Sequence, residues 1–233
     1  MRRCAVSVVC AVALAGLPLL SQAATPQEFG KWKKGENLVV AGDFEDLIFG
    51  AARMDTKQGA QGWTLEDGTC CNRGAEYKWE LDKKEFHGGK QSLKVIGVKA
   101  SGTDWHAKVR HDSTSMKGGK NYTAAFWAKA EKSRAVSLSV QLQHDPWTFF
   151  QGGNFDLTQE WAEYSKTFGA PQDIDRDMWV GLAIAQSDVS FWLDDFRFWE
   201  GEFKDEIKAE PTPQAVEAGG KLAVQWADIR RSR

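Results

Sequence analysis

Apolar and polar residues alternate along this chain in runs too short for helices, and clusters of Gly, Asn and Asp separate the runs. The clearest run sets Tyr122, Ala124, Phe126 and Ala128 against Thr123, Ala125, Trp127 and Lys129. Successive side chains of a strand leave opposite faces, so one set enters a core while the other, with Trp127, looks outward. The stretch from Ser137 to Gln143 repeats the device, with Leu138, Val140 and Leu142 inward and Ser137, Ser139, Gln141 and Gln143 outward. The pattern predicts strands over residues 37–44, 75–81, 91–98, 104–111, 121–130, 136–144, 162–168, 179–186 and 190–199. Many short strands with turn-rich connections and no helical period predict an all-β protein, an antiparallel β-sandwich or jelly roll.

The two ends differ from this middle. Met1-Arg2-Arg3 precedes an uncharged run from Cys4 to Leu20, and Ser21-Gln22-Ala23-Ala24 follows. A basic start, an apolar run and small residues predict a secretory signal peptide over residues 1–23, cut after Ala23. The expected product is secreted, extracellular or periplasmic, with no membrane insertion, because no later run is long and apolar enough to span a bilayer. Residues 24–36 form an N-terminal extension, residues 37–200 the sandwich, and residues 201–233 a charged, Pro-containing linker and tail. In the tail Leu222, Val224 and Trp226 keep strand spacing while Leu222, Trp226 and Ile229 keep helix spacing, and the segment is a candidate contact for a protein partner. A formal net charge of -2 offers nothing to a polyanion, so nucleic acid is not an expected partner.

Tryptophan is the unusual component, at 11 residues, none of them in the signal segment. Its flat apolar face and single N–H suit either a core position or a platform for the C–H faces of sugar rings. The polar outward set of residues 137–143 suits a sugar as well as it suits plain solvent exposure.

Several segments, in order, resemble carbohydrate-binding modules of families 4, 9, 16 and 22. They are Asn37-Leu38-Val39-Val40-Ala41-Gly42-Asp43-Phe44-Glu45, Gly62-Trp63-Thr64, His87-Gly88-Gly89-Lys90-Gln91-Ser92-Leu93-Lys94-Val95, Tyr122 to Ala130, Leu157-Thr158-Gln159-Glu160-Trp161 and Phe191-Trp192-Leu193-Asp194-Asp195-Phe196. The resemblance implies a galactose-binding-domain-like jelly roll, a non-catalytic role, a poly- or oligosaccharide ligand in a cleft, and one structural Ca2+. Carried over residue by residue, the cation's ligands are the Asp43 carbonyl, the Glu45 carboxylate, carbonyls at His87 and Lys90, and the Asp194 carboxylate. The alternative leaves Glu45 and Asp194 as ordinary edge carboxylates. On the strand face Asp194 shares with Phe196 and Phe198 it points inward, and Asp195 outward. For the sugar, the resemblance places Trp105 as the stacking aromatic, with Gln143, Trp147 and Phe149 as further cleft residues. Trp179 shares its face with the small Gly181, Ala183 and Ala185, which leaves room for a ligand, and Trp127 is an outward aromatic of uncertain use. Trp63, Trp161 and Trp192 read as structural.

Cys70 and Cys71 are the cysteines that remain after cleavage. Their Cα atoms lie only about 3.8 Å apart, so a vicinal bridge is strained, and a free pair or intermolecular bridges are the alternatives. Catalysis finds no signature: there is no nucleophile elbow or paired-histidine metal motif, and strand parity sends His106 and His111 to opposite faces. The competing readings are an exported adhesion or assembly domain with a non-sugar partner and a glycan-active enzyme.

Overall fold

A computed structural model of the protein describes residues 37–45, 62–69 and 72–204. The expected signal peptide, the Cys70–Cys71 pair and the tail beyond Lys204 lie outside the described residues. Among the described residues the ten strands are β1 (Trp63–Glu66), β2 (Glu76–Asp82), β3 (Ser92–Lys99), β4 (Lys108–Met116), β5 (Asn121–Ala130), β6 (Arg134–Leu142), β7 (Phe149–Leu157), β8 (Ala162–Gly169), β9 (Ile174–Ala183) and β10 (Phe191–Glu200). They form two five-stranded sheets, in the orders β1-β4-β9-β6-β7 and β2-β3-β10-β5-β8, with every pairing antiparallel. Among the described residues no helix is long and apolar enough to cross a membrane.

The expected sandwich is therefore present, and alternation explains its core. Phe126, Ala124 and Ala128 of β5 and Phe191, Leu193, Phe196 and Phe198 of β10 meet Leu138 and Val140 of β6 and Val180 and Leu182 of β9, all buried. Phe126 stacks on Phe196 at 5.7 Å and stands edge-on to Phe155 at 5.6 Å. Such aromatic contacts add about 0.5–1.5 kcal/mol each beyond the area they bury.

Four expectations change. Residues 37–44 alternate like a strand but run as turns, because Ala41 (φ 50°) and Phe44 (φ 54°) enter the left-handed region. The segment still borders β10, with Leu38 N–H donating to the Phe198 carbonyl at 2.7 Å and Phe196 N–H to that of Gly42 at 2.8 Å. It takes over the flank of β10 where pairing with β3 stops at Leu193. The predicted strand over 104–111 begins instead as a short 3-10 turn, Asp104–His106, before β4. His106 thus lies off the strand, and parity does not relate it to His111. The run from 179 starts earlier, as β9. Strands β1 and β7 were not predicted, because β1 is too short to show a period and β7 carries Gly152 and Gly153.

Candidate functional site

The outward face of the β1-β4-β9-β6-β7 sheet holds a cavity of about 460 Å³. Register builds its floor. Glu66 of β1 lies opposite Lys108 of β4, Lys108 opposite Ala183 of β9, and Arg110 opposite Gly181. On the other side of β9, Ser137, Ser139 and Gln141 of β6 pair with Ala183, Gly181 and Trp179. Gly181 is required here, since a Cβ would come within 2.2 Å of the Val109 carbonyl oxygen and 2.5 Å of the Arg110 Cα.

Loops supply the walls. Trp105, on the 3-10 turn, is 50% exposed and carries the Arg73 guanidinium 5.2 Å from its ring centre. Trp147 (52% exposed) comes from the β6–β7 connection, which contains a cis Asp145–Pro146 bond, and Phe149 (59%) opens β7. Trp105, Trp147, Phe149 and Trp179 all line the cavity, so four of the sequence-predicted aromatics converge there. They do so differently, because Trp179 is only 1% exposed and lies in the floor, with Lys108 Nζ at 5.8 Å and the Arg110 guanidinium at 5.6 Å from its ring.

Two predicted cleft residues lie elsewhere. Strand β6 ends at Leu142, and Gln143 turns its side-chain oxygen to accept the Ser113 N–H. Gln141, one alternation earlier, lines the cavity in its place and donates to the Trp147 carbonyl at 2.6 Å. Trp127 belongs to the other sheet. His87 stacks on it at 3.6 Å and 7°, and it is 9% exposed. It does face outward, but a loop covers it.

The cleft also gathers charges that the sequence did not flag. Glu66 accepts from Lys108 at 2.9 Å and from Arg73 at 3.0 Å, with Arg110 at 3.4 Å. Arg110 also pairs with Asp112 at 3.1 Å, and the Thr64 hydroxyl donates to Asp112 at 2.8 Å. Burial opposes the charge on Glu66, yet Lys108, Arg110 and Arg73 together hold its carboxyl below the ordinary value. For Lys108 the balance tips the other way, and burial lowers it despite Glu66. Three cations around one carboxylate at contact distance make Glu66 the anion of the cluster. Asp112, with fewer cations beside it, is raised by burial. These partners meet only through the β1–β4 register and the loop holding Arg73, a juxtaposition no local motif announces.

The expected metal ligands meet at the margin of the second sheet. Glu45 accepts the N–H of Lys90 at 2.6 Å and of Gln91 at 3.1 Å, while the Gln91 amide donates to the carbonyls of Phe44 (2.7 Å) and Glu45 (3.1 Å). Asp194 is fully buried and accepts the N–H of His87 at 2.9 Å, of Gly88 at 3.1 Å and of Asp195 at 2.9 Å. Burial and the neighbouring Asp195 push its carboxyl up to about 9. Asp195 is 7% exposed rather than solvent-facing, with its carboxylate 3.1 Å from the His87 ring. Asp43 is exposed and close enough to raise Asp195 further. His87 and Lys90 thus present their N–H groups to the two carboxylates. Among the described residues no three His, Cys, Asp or Glu side chains cluster as a metal site, so a cation here would draw on backbone carbonyls as well. The Glu45 and Asp194 carboxylates are hard oxygens of the kind Ca2+ takes, though the groups facing them are the N–H donors of His87, Gly88, Lys90 and Gln91.

Across residues 36–177 the sequence matches the profile of the carbohydrate binding domain family of types 4 and 9. The chain belongs to that family. The carbohydrate-binding domain is similar to a solved structure described as "CBM4 structure and function", at 18% identity, 70% of this chain and 99% of that one, with a TM-score of 0.56. It is also similar to the CBM22-1 xylan-binding domain from Paenibacillus barcinonensis Xyn10C (17% identity, 62% and 88% covered, TM-score 0.43). A third is the C-terminal family 22 carbohydrate binding module of Clostridium thermocellum Xyn10B (16%, 62% and 89%, 0.45). Among curated proteins no match to the sequence is found.

Proposed function

We propose that the protein is an exported, non-catalytic binder of poly- or oligosaccharide, that the ligand lies in the cleft between Trp105 and the Trp147–Phe149 wall, and that Ca2+ braces the far margin through Glu45 and Asp194. The observation that carries the reading is a convergence. Of the six large hydrophobic side chains exposed among the described residues, Trp105, Trp147 and Phe149 border one cavity. Exposed aromatic faces cost free energy in water, and a sugar ring that offers C–H groups to the face and hydroxyls to its rim removes that cost. Ser139 and Gln141 supply hydroxyl and amide partners at the floor. Export rests on the basic and apolar run before Ala23. The non-catalytic reading is supported by the three cations around Glu66, which favour its anion over a proton-donating acid.

Affinity electrophoresis of the mature protein through gels containing soluble xylan, mixed-linkage β-glucan or other polysaccharides tests the proposal. The protein is retarded in at least one gel, and Trp105→Ala weakens retention by about tenfold or more while unfolding at an unchanged temperature. Equal retention of the variant would move the ligand off this face.

A further inference from the structure

Trp147 sits on an irregular connection, yet its surroundings tie it down. Its N–H donates to the His144 carbonyl at 2.6 Å, its carbonyl accepts the Gln141 amide at 2.6 Å, and its backbone is left-handed at φ 56°. A non-glycine residue in that region needs surroundings that hold it there. Leu142 N–H donates to the Thr148 carbonyl at 3.0 Å and closes the base of the loop. Among the described residues, the one element outside the loop to which His144 is bonded is β9. Asp177 of β9 accepts from the His144 Nε2 at 2.8 Å, and its carbonyl accepts the Gln143 N–H at 3.3 Å.

We propose that His144 and Asp177 are positioning residues for the cleft: their ion pair anchors the Trp147 wall to β9 and makes ligand retention depend on pH. The inference rests on the reading of the cleft as the sugar site. The groups that face His144 are both acidic or accepting. They are the Asp177 carboxylate from β9 and, within the loop, Asp145, whose carbonyl lies 2.6 Å from Nδ1. Both favour the imidazolium, and together they raise His144 above its ordinary 6.5. The imidazolium donates from both ring nitrogens at once, to the Asp145 carbonyl and to Asp177, whereas the neutral ring donates from only one. As pH rises through the raised value, one of the two ties is lost and the wall loosens.

Both side chains are exposed, so solvent screens the pair, and exposed pairs of this kind correspond to about two- to five-fold in an equilibrium constant. The test compares retention in a soluble xylan or β-glucan gel at about pH 5.5 and about pH 8.5 for wild type, His144→Gln, Asp177→Asn and Asp177→Glu. Wild type binds about two- to five-fold more tightly at the lower pH, Asp177→Glu keeps part of the difference, and the other two variants bind equally at both. An unchanged pH dependence in His144→Gln and Asp177→Asn overturns the proposal. A ligand-free arm separates this from failure of the sugar reading. If no gel retards the protein, hydrogen exchange of the Trp147 N–H, corrected for intrinsic rate, still falls in protection at high pH in wild type and in part in Asp177→Glu, but not in His144→Gln or Asp177→Asn. Equal protection in all four proteins overturns the anchor.

Discussion

Glu66 is the most consequential charge in the cleft, and Glu66→Gln measures what it does. The substitution keeps the side-chain shape and one oxygen acceptor but removes the anion between Lys108 (8% exposed), Arg110 (3%) and Arg73. Asp112 remains beside Arg110 at 3.1 Å, so one cation keeps a partner and Lys108 does not. Leaving one member of a buried pair unmatched costs about 3–5 kcal/mol, and the retained acceptor places this case near the lower end, about 3 kcal/mol. For a domain of this size that lowers the melting temperature by about 6–12 °C. The pH arm has a definite sign. The folded state holds Glu66 below its ordinary 4.5, so its contribution is complete above that value and disappears as pH falls through the lowered one. Wild type therefore loses stability toward acid more steeply than the variant. Thermal unfolding across that range checks both arms. A melting temperature within about 2 °C of wild type, with identical acid limbs, would refute the view that Glu66 anchors the cleft floor.

Three further outcomes follow from the geometry. Trp147→Ala and Trp127→Ala separate the two sheet faces. The first weakens retention on polysaccharide gels with little change in unfolding, and the second costs about 3–5 kcal/mol of stability while its folded fraction keeps its retention. Gly181→Ala places a methyl group against the Val109 carbonyl and costs about 1–3 kcal/mol, read as a lower urea midpoint at constant slope. If Ca2+ is held by Glu45 and Asp194, excess calcium at about a hundredfold over its dissociation constant stabilises wild type by about 2.7 kcal/mol. A chelator removes that gain and Asp194→Ala abolishes it.

What could be read from the sequence was what alternation controls. Strand β5 matches its predicted limits, Asn121 to Ala130, because each second residue enters a well-packed core and the others do not. Strand β7 escaped because Gly152 and Gly153 interrupt its alternation. Its Gly152 serves packing instead, since a Cβ would come within 2.1 Å of the Leu138 carbonyl oxygen. The resemblance groups Trp105, Trp147 and Phe149, which line one cavity, with Gln143, whereas Gln141, one alternation earlier, lines it in the structure because β6 stops sooner than its polar pattern does. Glu66, Arg73 and Lys108 could not be read at all. Their meeting depends on a cross-strand register and a loop path, and neither leaves a periodic trace.

Alternation also cannot say what covers an outward aromatic, and here the cover decides its use. Trp127 and Trp179 both leave their sheets on the side away from the core, and both end almost fully buried. Over Trp127 the cover is the His87 ring, fixed by the contact of His87 with Asp195 and by the backbone bond to Asp194, so the carboxylates proposed for Ca2+ also seal that face. Over Trp179 there is a cavity, flanked by the Lys108 and Arg110 side chains and walled by loops whose own aromatics stay exposed. The same fold thus closes one outer face with a loop bound to acidic residues and leaves the other open above a neutralised ionic floor. If that division is right, perturbing the Asp194 margin lowers stability first and sugar retention only through it, whereas perturbing the Trp105 and Trp147 walls does the reverse.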